Sequence, residues 1–447
     1  MIDANIFRQY DIRGKAGEEL DDNAVVAIGR AFGKYVQEQG RTRLLVGRDN
    51  RASSPRFRDL IIESLLTSGL DVVDIGEVIT PVFYFASHHL SLDAGIMITA
   101  SHNPGHDNGF KLLLGSSTIY GDEIQKIARM AEKEEKINST TRGILEFQDV
   151  TSAYIQEING RVNLGPRHQK IVIDCGNGTA GFIAPQVFRQ LGCEVVELFC
   201  DSNPLFPNHH PDPVKVENCQ DLIRVVKEEK ADLGIGFDGD GDRLGVVDPD
   251  GNIIWGDMLM ILFWREILPQ HPGATCIVEV KCSQALIDEI ERLGGRPLIY
   301  KTGHSLIKAK MKETGAIFTG EMSGHMFFAD EYYGYDDALY AAARLLRILS
   351  NSDQSLAEML SSVPHYYATP EIRIKSTDTD KFRIVEEVLT HFRGKYDIID
   401  VDGARILFPG GWGLVRASNT GPELIVRCEG KTPEALEAIK SELFSIL

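Results

Sequence analysis

No run of about 18 apolar residues occurs in this 447-residue sequence, so we expect no membrane-spanning helix and no membrane partner. The first residues, MIDANIFRQYDIRGK, lack the apolar segment of a secretory signal. The seven cysteines form no Cys-x-x-Cys pair, which argues against a zinc site or a disulfide framework and favours free thiols in the cytoplasm. Lys and Arg number 47 against 65 Asp and Glu, and this net charge of −18 disfavours a nucleic-acid partner.

Three segments of the chain share one order of predicted elements. Arg43–Gly76, Lys170–Cys200 and Thr275–Gly303 each contain an apolar run, a polar loop, an amphipathic helix and a second apolar run. Apolar strands that alternate with helices are typical of βαβ units. Each helix is followed by a glycine where a helix C-terminus favours positive φ, namely Gly69, Gly192 and Gly294.

These repeats predict three similar α/β domains with mixed sheets around a central cleft. From about residue 365 the repeat is absent, and alternating strands with a final helix (Thr432–Ile446) predict a smaller C-terminal α+β domain. The resulting domains are residues 1–148, 149–250, 251–364 and 365–447. Each repeat has a third strand that ends in a loop of unusual composition, and the carboxyl ends of strands in α/β sheets carry ligand chemistry.

The first of these loops lies in ITASHNPGHDNGFK, which runs from Ile98 to Lys111. An ordinary turn is one interpretation, and a presented nucleophile or phosphate carrier at Ser101 is the other. His102 is predicted to be a poor base for Ser101, because neighbouring side chains of an extended chain point apart. Lys111 or the cationic N-terminal loop that contains Arg13 is better suited to activate the hydroxyl.

The second loop, DGDGDR, carries aspartates at alternate positions, which point the same way in an extended chain. Three like charges repel each other, and binding of a hard cation relieves the repulsion. A solvated acidic turn is the alternative. A calcium EF-hand is excluded because Arg243 and Pro249 replace the required Gly and Glu. We therefore predict a single Mg²⁺ site at Asp238, Asp240 and Asp242, with Ser101 as a further ligand.

Two further loops have polar groups suited to sugars and phosphates. GEMSGH places Glu321, Ser323 and His325 between glycines, a composition that suits a polyhydroxyl ligand but also suits a capping turn. RASNTGPELIVR contains a guanidinium beside hydroxyl and amide groups, which is typical of a phosphate site and also of a hairpin turn. Its polar residues are Arg416, Ser418, Asn419, Thr420 and Arg427.

Cations follow several predicted strand ends of this acidic chain. Each one alone is interpreted as a solvated surface charge, whereas a cluster of them in one cleft would bind a doubly anionic ligand. The set is Arg8, Arg13, Lys15, Arg48, Arg51, Lys111, Lys281 and His304.

Together, YDIRG, TASHNP, DGDGDR, GEMSGH and RASNTGPELIVRCEG resemble the α-D-phosphohexomutases, most closely the bacterial phosphomannomutase/phosphoglucomutase group. The resemblance covers essentially the whole chain in order. It implies a phosphorylated Ser101, an Mg²⁺ motif at the three aspartates, sugar contacts from Glu321 and Ser323, and proton transfer by His325. It also implies a catalytic role for Arg13 and Lys111. The implied substrate contacts are Tyr10, Arg243, Lys281, His304, Arg416, Ser418, Asn419, Thr420 and Arg427.

The resemblance implies interconversion of hexose 1-phosphate and hexose 6-phosphate through phosphoserine and a bisphosphorylated sugar, with hexose 1,6-bisphosphate as activator. Met322 favours mannose or glucose over glucosamine, although a phosphoglucosamine mutase stays possible. The same residues are also compatible with a metal-dependent sugar phosphatase or a non-catalytic sugar-phosphate sensor. We expect small-molecule hexose phosphates as partners and a cytoplasmic monomer or weak dimer.

Overall fold

The structure is a computed structural model that describes residues 2–115, 117–133, 139–419 and 421–447. The chain folds into two compact units, each made of two stretches of sequence. The first unit contains Met1–Gly256 and Ser323–Ala357, and the second contains Asp257–Met322 and Glu358–Leu447. The four domain boundaries inferred from the sequence stay predictions. Within the described ranges, no helix combines the length and the apolar composition needed to cross a membrane.

A mixed seven-stranded sheet forms the first part of the chain. Its elements are β1 (Ile12–Lys15), α1 (Asp22–Glu38), β2 (Arg43–Arg48), α2 (Ser54–Thr67), β3 (Asp71–Glu77), α3 (Thr80–His89), β4 (Ala94–Ile98), β5 (Asp107–Leu114), β6 (Ser117–Thr118), α4 (Asp122–Glu132) and β7 (Leu145–Phe147). The strand order is β1-β5-β4-β2-β3-β7, with β6 beside β5. Phe32, Leu65 and Ile127 from three helices pack in one cluster with Val46 and Ile96 from the strands.

The second repeat builds a five-stranded sheet in the same unit. Its elements are α5 (Thr151–Arg161), β8 (Lys170–Asp174), α6 (Ala184–Gln190), β9 (Glu194–Leu198), α7 (Gln220–Glu229), β10 (Leu233–Phe237), β11 (Leu244–Val247) and β12 (Ile253–Ile254). The strand order β11-β10-β8-β9 matches β5-β4-β2-β3 of the first sheet. Parallel and antiparallel pairs also correspond, since β10 is parallel to β8 and antiparallel to β11. This correspondence confirms the predicted repeat.

The third repeat has the same βαβ beginning and belongs to the second unit. Its elements are α8 (Gly256–Ile267), β13 (Thr275–Glu279), α9 (Gln284–Arg292), β14 (Arg296–Tyr300), α10 (His304–Thr314) and β15 (Phe318–Gly320). Strands β13 and β14 pair in parallel, as β2 and β3 do. The chain then continues through β16 (Met326–Phe328), α11 (Ala338–Ser350) and α12 (Leu356–Leu360).

An antiparallel sheet with two helices forms the C-terminal part, which confirms the predicted α+β character, although the sequence predicted only the final helix. Its elements are β17 (Tyr367–Ala368), β18 (Ile372–Lys375), α13 (Asp380–Phe392), β19 (Asp397–Ile399), β20 (Ala404–Phe408), β21 (Gly411–Ala417), β22 (Glu423–Gly430) and α14 (Pro433–Phe444). The order is β17-β22-β21-β20-β19, with β18 also beside β22. Val388 and Phe392 of α13 and Leu443 of α14 pack in a common core with the strands.

The glycines that follow the helices of the three repeats have the predicted conformation. Gly69, Gly192 and Gly294 have φ of 81°, 97° and 80°. A Cβ on Gly192 would meet no heavy atom within 4 Å, so only the backbone restricts this position. Gly160, near the end of α5, is equally uncrowded but has no positive φ, which makes it a suitable reference.

Gly192→Ala is expected to lower the free energy of unfolding by about 1–2 kcal/mol, the usual cost of left-handed backbone for an L-residue. Gly160→Ala adds the same methyl group to helical backbone and is expected to be neutral or stabilising by up to about 1 kcal/mol. Urea unfolding followed by circular dichroism measures both variants. Equal effects of the two substitutions would contradict a conformational requirement at Gly192.

Candidate active site

The loop after β4 holds Ser101 in an uncommon backbone conformation. Ser101 has φ of 50° and is only 1% exposed. Its backbone N–H donates to Thr99 Oγ1 at 2.9 Å, and Asn103 N–H donates to Ala100 O at 2.9 Å. A non-glycine residue in the left-handed region is uncommon and is found mostly at turns and functional sites. We call residues 99–106 the Ser101 loop.

The left-handed conformation corrects the prediction for His102. Side chains of successive residues point apart only in extended backbone, and Ser101 is not extended. His102 Nδ1 therefore lies 3.2 Å from Ser101 Oγ. Burial, helped by the positive charges of Arg243 and Arg13, lowers the pKa of His102 well below its usual value. A neutral imidazole thus contacts the serine hydroxyl, and the prediction that His102 points away is wrong.

The three aspartates after β10 converge on one point, next to Ser101. Asp238, Asp240 and Asp242 are all 0% exposed, and one carboxylate oxygen from each lies within 4.8 Å of the others. Their convergence comes from a turn with Gly241 at φ of 72°, not from the extended chain that the sequence suggested. Ser101 Oγ donates to Asp238 Oδ2 at 2.6 Å.

Lys111 on β5 is the ammonium group that faces this triplet. Its Nζ donates to Asp240 Oδ2 at 2.8 Å and to Asp242 Oδ2 at 2.5 Å. Burial alone would lower the pKa of Lys111, but the charges of Asp240 and Asp242 outweigh burial and raise that pKa well above its usual value. Conversely, burial would raise the pKa of Asp240, but the charge of Lys111 dominates and lowers it.

The described groups around the triplet do not satisfy all of its carboxylate oxygens. Burial, together with the charges of Asp242 and Asp240, raises the pKa of Asp238 well above its usual value, so one ammonium does not balance three carboxylates. Asp240 Oδ1 and Asp242 Oδ1 are buried and find no hydrogen-bond partner among the residues that the structure describes. Buried carboxylate oxygens without donors are costly unless a cation binds them. The donor set, oxygen atoms only, therefore fits a hard divalent ion such as Mg²⁺.

Arg13 on β1 reaches the Ser101 loop, as the sequence predicts for a residue acting near Ser101. Its Nη1 donates to Asn103 Oδ1 at 2.9 Å, and its Nε donates to Asp11 Oδ2 at 2.7 Å. Tyr10, two residues before β1, is buried in the same unit. Lys15, by contrast, is about half exposed and pairs with exposed Glu18, which fits a surface charge.

Arg51 is not the ligand-binding cation that the sequence suggested. It is 1% exposed, and its guanidinium donates to the carbonyl oxygens of Ser101, Asn103, Pro104 and Asp107 at 2.6–2.9 Å. Its Nε donates to Asp49 Oδ2 at 3.1 Å. An arginine has five N–H groups, and all five are used. Arg51 therefore fixes the backbone of the Ser101 loop and has no donor left for an anion.

His325 lies between a carboxylate and a guanidinium of the first unit. Its Nδ1 lies 3.2 Å from Asp336 Oδ2 and 3.6 Å from Asp242 Oδ1. Arg243 Nε donates to His325 Nε2 at 3.0 Å. Because the guanidinium can only donate, Nε2 accepts and the ring proton lies on Nδ1, toward Asp336. Ser323, two residues earlier, belongs to the same unit.

A second group of predicted residues lies in the second unit. Lys281 Nζ donates to Glu371 Oε2 at 3.1 Å. Burial would lower the pKa of Lys281, but the charges of Glu279 and Glu371 outweigh burial and raise that pKa, with smaller effects from Arg416 and Glu321. Gly303 N–H, just before His304, donates to Glu321 Oε1 at 2.7 Å. Arg416 Nε donates to Asp402 Oδ2 at 3.0 Å. Glu321 and Arg416 thus lie close enough to Lys281 for their charges to change its pKa.

The other residues predicted in this unit differ in their surroundings. Ser418 is buried next to Asn419, and its backbone carbonyl accepts from Lys381 Nζ at 2.8 Å. Arg427 contacts protein groups, since Nη1 donates to Lys281 O and lies 2.7 Å from Met322 Sδ. Thr420 lies outside the described residues. Substrate contact by this set stays a prediction.

Several contributors were not found from the sequence. Asp336 orients His325, and Glu371 pairs with Lys281, but each acts across a separation in sequence that no local motif records. His210 Nε2 contacts His102 O, and His209 Nε2 lies 2.9 Å from Asp174 Oδ2. The adjacent histidines between prolines in PNHHPDP were the available signal for this support of the Ser101 loop.

Comparison with known proteins finds matches over nearly the whole chain. Models of phosphoglucomutase/phosphomannomutase α/β/α domains I, II and III match residues 4–138, 152–251 and 255–367, and that of the C-terminal domain matches residues 371–446. The phosphomannomutase/phosphoglucomutase of Pseudomonas aeruginosa is 46% identical over 98% of this chain and 95% of its own. The phosphoglucomutase of Neisseria meningitidis serogroup A is 44% identical over 100% and 97%.

A solved structure agrees with these matches. The phosphoglucomutase/phosphomannomutase family protein of Burkholderia thailandensis has a TM-score of 0.93 and 42% identity, covering 100% of this chain and 98% of its own. Fold and matches together define an isomerase, a hexose phosphate mutase of the α-D-phosphohexomutase class. The chain belongs to the phosphoglucomutase/phosphomannomutase family, in its bacterial branch.

Arg51→Lys is expected to lower the kcat of the mutase by about 10- to 100-fold, because a misplacement of about 1 Å at a reacting group costs up to about 100-fold. A lysine keeps the charge but cannot bind four carbonyls in a fixed fork. Steady-state turnover at saturating substrate measures the effect, and thermal unfolding reports on folding. Arg43→Lys, which alters an exposed pair with Glu146, is the control. Equal kcat in the two variants would contradict the assignment.

Proposed function

We propose that this enzyme interconverts the 1-phosphate and 6-phosphate of mannose and glucose through a phosphorylated Ser101 and a bisphosphorylated sugar. The observation that carries the proposal is the hydroxyl of Ser101, held 2.6 Å from Asp238 at a buried triplet with two unpartnered carboxylate oxygens. A serine presented beside a site for a hard cation is suited to carrying phosphate. The names of relatives that are 44–46% identical support the choice of sugars.

Asp238, Asp240 and Asp242, with the oxygen of Ser101, would hold Mg²⁺. When bound, the ion supplies positive charge that stabilises negative charge developing on the phosphoryl oxygens. The chain adds the ammonium of Lys111 and the guanidinium of Arg13, which lie on neighbouring strands β5 and β1. Phosphoryl transfer depends mainly on such positioning and charge stabilisation.

In the proposed cycle, phosphate on Ser101 Oγ passes to the free hydroxyl of a bound hexose phosphate. The P–O bond to the sugar forms as the bond to Oγ breaks. We assign acceptance of the proton from the sugar hydroxyl to the imidazole of His325. Its Nε2 would first have to give up the hydrogen bond that it accepts from Arg243 Nε. Oγ takes up a proton as the phosphate leaves, and we assign its source to the ammonium of Lys111, which becomes a neutral amine. Neutral His102, at 3.2 Å from Oγ, would be left as an anion if it lost its proton. The bisphosphorylated sugar then reverses its orientation in the site and returns its other phosphate to Ser101.

The remaining predicted residues would bind the parts of the sugar that are not reacting. We assign the ring hydroxyls to Glu321 and Ser323. We assign the distant phosphate to Arg416, Ser418, Asn419 and Thr420, with Lys281 and His304 as further contacts. A phosphate group is best bound by charged donors, and Arg416 and Lys281 are buried cations whose charges act on each other. Hexose 1,6-bisphosphate would activate the enzyme by phosphorylating Ser101. A cytoplasmic location and a monomeric or weakly dimeric state stay predictions.

Incubation with glucose 1,6-bisphosphate is expected to raise the intact mass by about 80 Da, the mass of one phosphoryl group. Ser101→Ala is expected to lose both this increase and the conversion of glucose 1-phosphate to glucose 6-phosphate. Ser445→Ala, at an exposed position, should retain both. Near-normal turnover in Ser101→Ala would contradict the covalent mechanism. Release of the phosphate to water, with no sugar 6-phosphate formed, would instead indicate a phosphatase.

Asp240→Asn is expected to lower kcat by at least about 100-fold, because it weakens the Mg²⁺ site and removes a charge that balances Lys111. Chelation of the wild type should have the same effect, and added Mg²⁺ should reverse it. Asp250→Asn makes the same chemical change at an exposed turn and should leave the dependence on Mg²⁺ unaltered. Full activity in a chelator would exclude a catalytic metal at the triplet.

A further inference from the structure

The turn that follows β13 carries Lys281, and the backbone carbonyl groups of this turn are not paired with a neighbouring strand. Val280 N–H still donates to Tyr300 O at 3.0 Å, but the chain then turns back, with Cys282 N–H donating to Glu279 O at 2.9 Å. The residues of this turn, Val280–Cys282, are at least nine-tenths buried. Three successive buried carbonyl oxygens therefore need donors from elsewhere.

Two buried arginines of the C-terminal sheet supply these donors. Arg405 on β20 is 0% exposed, and its Nη1 donates to Val280 O at 2.7 Å and to Cys282 O at 3.0 Å. Arg427 on β22 donates from Nη1 to Lys281 O. Every carbonyl of the turn is thus bound by a guanidinium. Charged donors make the stronger class of hydrogen bond, so the backbone path of the turn is strongly specified.

Trp412 on β21 holds the two arginines in place. The guanidinium carbon of Arg405 lies 3.9 Å from the centre of the Trp412 ring, and that of Arg427 lies 5.7 Å from it. The indole N–H donates to Glu429 Oε1 at 2.8 Å, an oxygen that also accepts from Gln284 N–H at 2.8 Å. Cation–π contact between desolvated groups is favourable, so the three side chains form one rigid layer beside the turn.

The side chain of Lys281 projects from this fixed backbone into a cluster of charges. The backbone N–H of Lys281 donates to Glu279 Oε1 at 3.1 Å, and the side-chain Nζ donates to Glu371 Oε2 at 3.1 Å. The side chain is 9% exposed, so few positions are open to its ammonium group. The charge of Lys281, with that of Arg373 and despite burial, lowers the pKa of Glu371 to about 2. Backbone and ammonium are thus both constrained.

We propose that Arg405, together with Arg427, is a positioning residue for Lys281: it fixes the Val280–Cys282 turn and thereby sets the affinity of Lys281 for substrate phosphate. The inference rests on the proposed role of Lys281 in the mutase reaction. It gives Arg427 a task besides the direct substrate contact that the sequence suggested. If Arg405 had a purely structural role, its substitution would affect folding, and the size of that effect would not depend on whether Lys281 is present.

A double-mutant cycle separates these two roles. Arg405→Lys keeps the charge but replaces the planar guanidinium, whose Nη1 donates to both carbonyls, with a freely rotating ammonium. Lys281→Ala removes the ammonium of Lys281. We expect Lys281→Ala to raise the KM for glucose 1-phosphate by about 10- to 100-fold, the usual effect of losing one charged contact to phosphate. Arg405→Lys should raise KM by about tenfold, with kcat within about threefold of wild type. The double variant should match Lys281→Ala alone.

Arg383→Lys, which alters an exposed ion pair with Glu387 on α13, is the control and should leave KM unchanged. KM effects of Arg405→Lys and Lys281→Ala that multiply in the double variant would overturn the inference. An unchanged KM in Arg405→Lys, with Lys281→Ala impaired, would overturn it as well. An unchanged KM in Lys281→Ala would show instead that the proposed role of Lys281 is wrong. If thermal unfolding shows that Arg405→Lys does not fold, the same cycle with Trp412→Phe, which weakens the cation–π contact to Arg405 and leaves both arginines in the chain, decides between these outcomes.

Discussion

Burial of three carboxylates at one point is the constraint on which the first unit depends. Two unit charges 4 Å apart interact by about 4 kcal/mol at an effective dielectric constant of about 20, so the triplet repels itself strongly. The fold offsets this repulsion with Lys111 from β5, with hydroxyl groups of Thr80 and Thr99, and with backbone N–H groups of Asp242 and Arg243. The first and second repeats are therefore joined through the chemistry of the site itself.

Loops at strand ends pose a second problem, because their carbonyl groups leave the sheet and find no partner in it. The enzyme solves this problem twice with a buried arginine. Arg51 binds three carbonyls of the Ser101 loop and that of Asp107 at the start of β5, and Arg405 binds two carbonyls of the Lys281 turn. The planar guanidinium, which stays charged when buried, suits this task better than an ammonium. Both arginines bind the backbone of segments that carry predicted site residues, and they thereby determine the positions of Ser101 and Lys281.

The repeated topology explains where the chemistry lies. Strands β4 and β10 occupy the same place in their sheets, each parallel to the first strand of its repeat and antiparallel to the next. The Ser101 loop leaves β4 and the triplet leaves β10, so equivalent loops of two repeats supply the serine and the carboxylates. Duplication of one βαβ framework thus delivers different side chains to equivalent positions.

Local sequence determined the repeats, the glycines after their helices, the α+β character of the C-terminal part, and the choice of Ser101 and the aspartate triplet as site residues, because periodicity and motif spacing encode these features. Only the tertiary structure decided how the groups meet. The left-handed backbone of Ser101 places His102 beside the hydroxyl, and a turn makes the triplet converge. Burial converts Arg51 from an apparent ligand-binding cation into a support for the loop, and Asp336 and Arg405 act through partners distant in sequence. A sequence records which groups are present, but desolvation and pairing across the fold decide what each charge does.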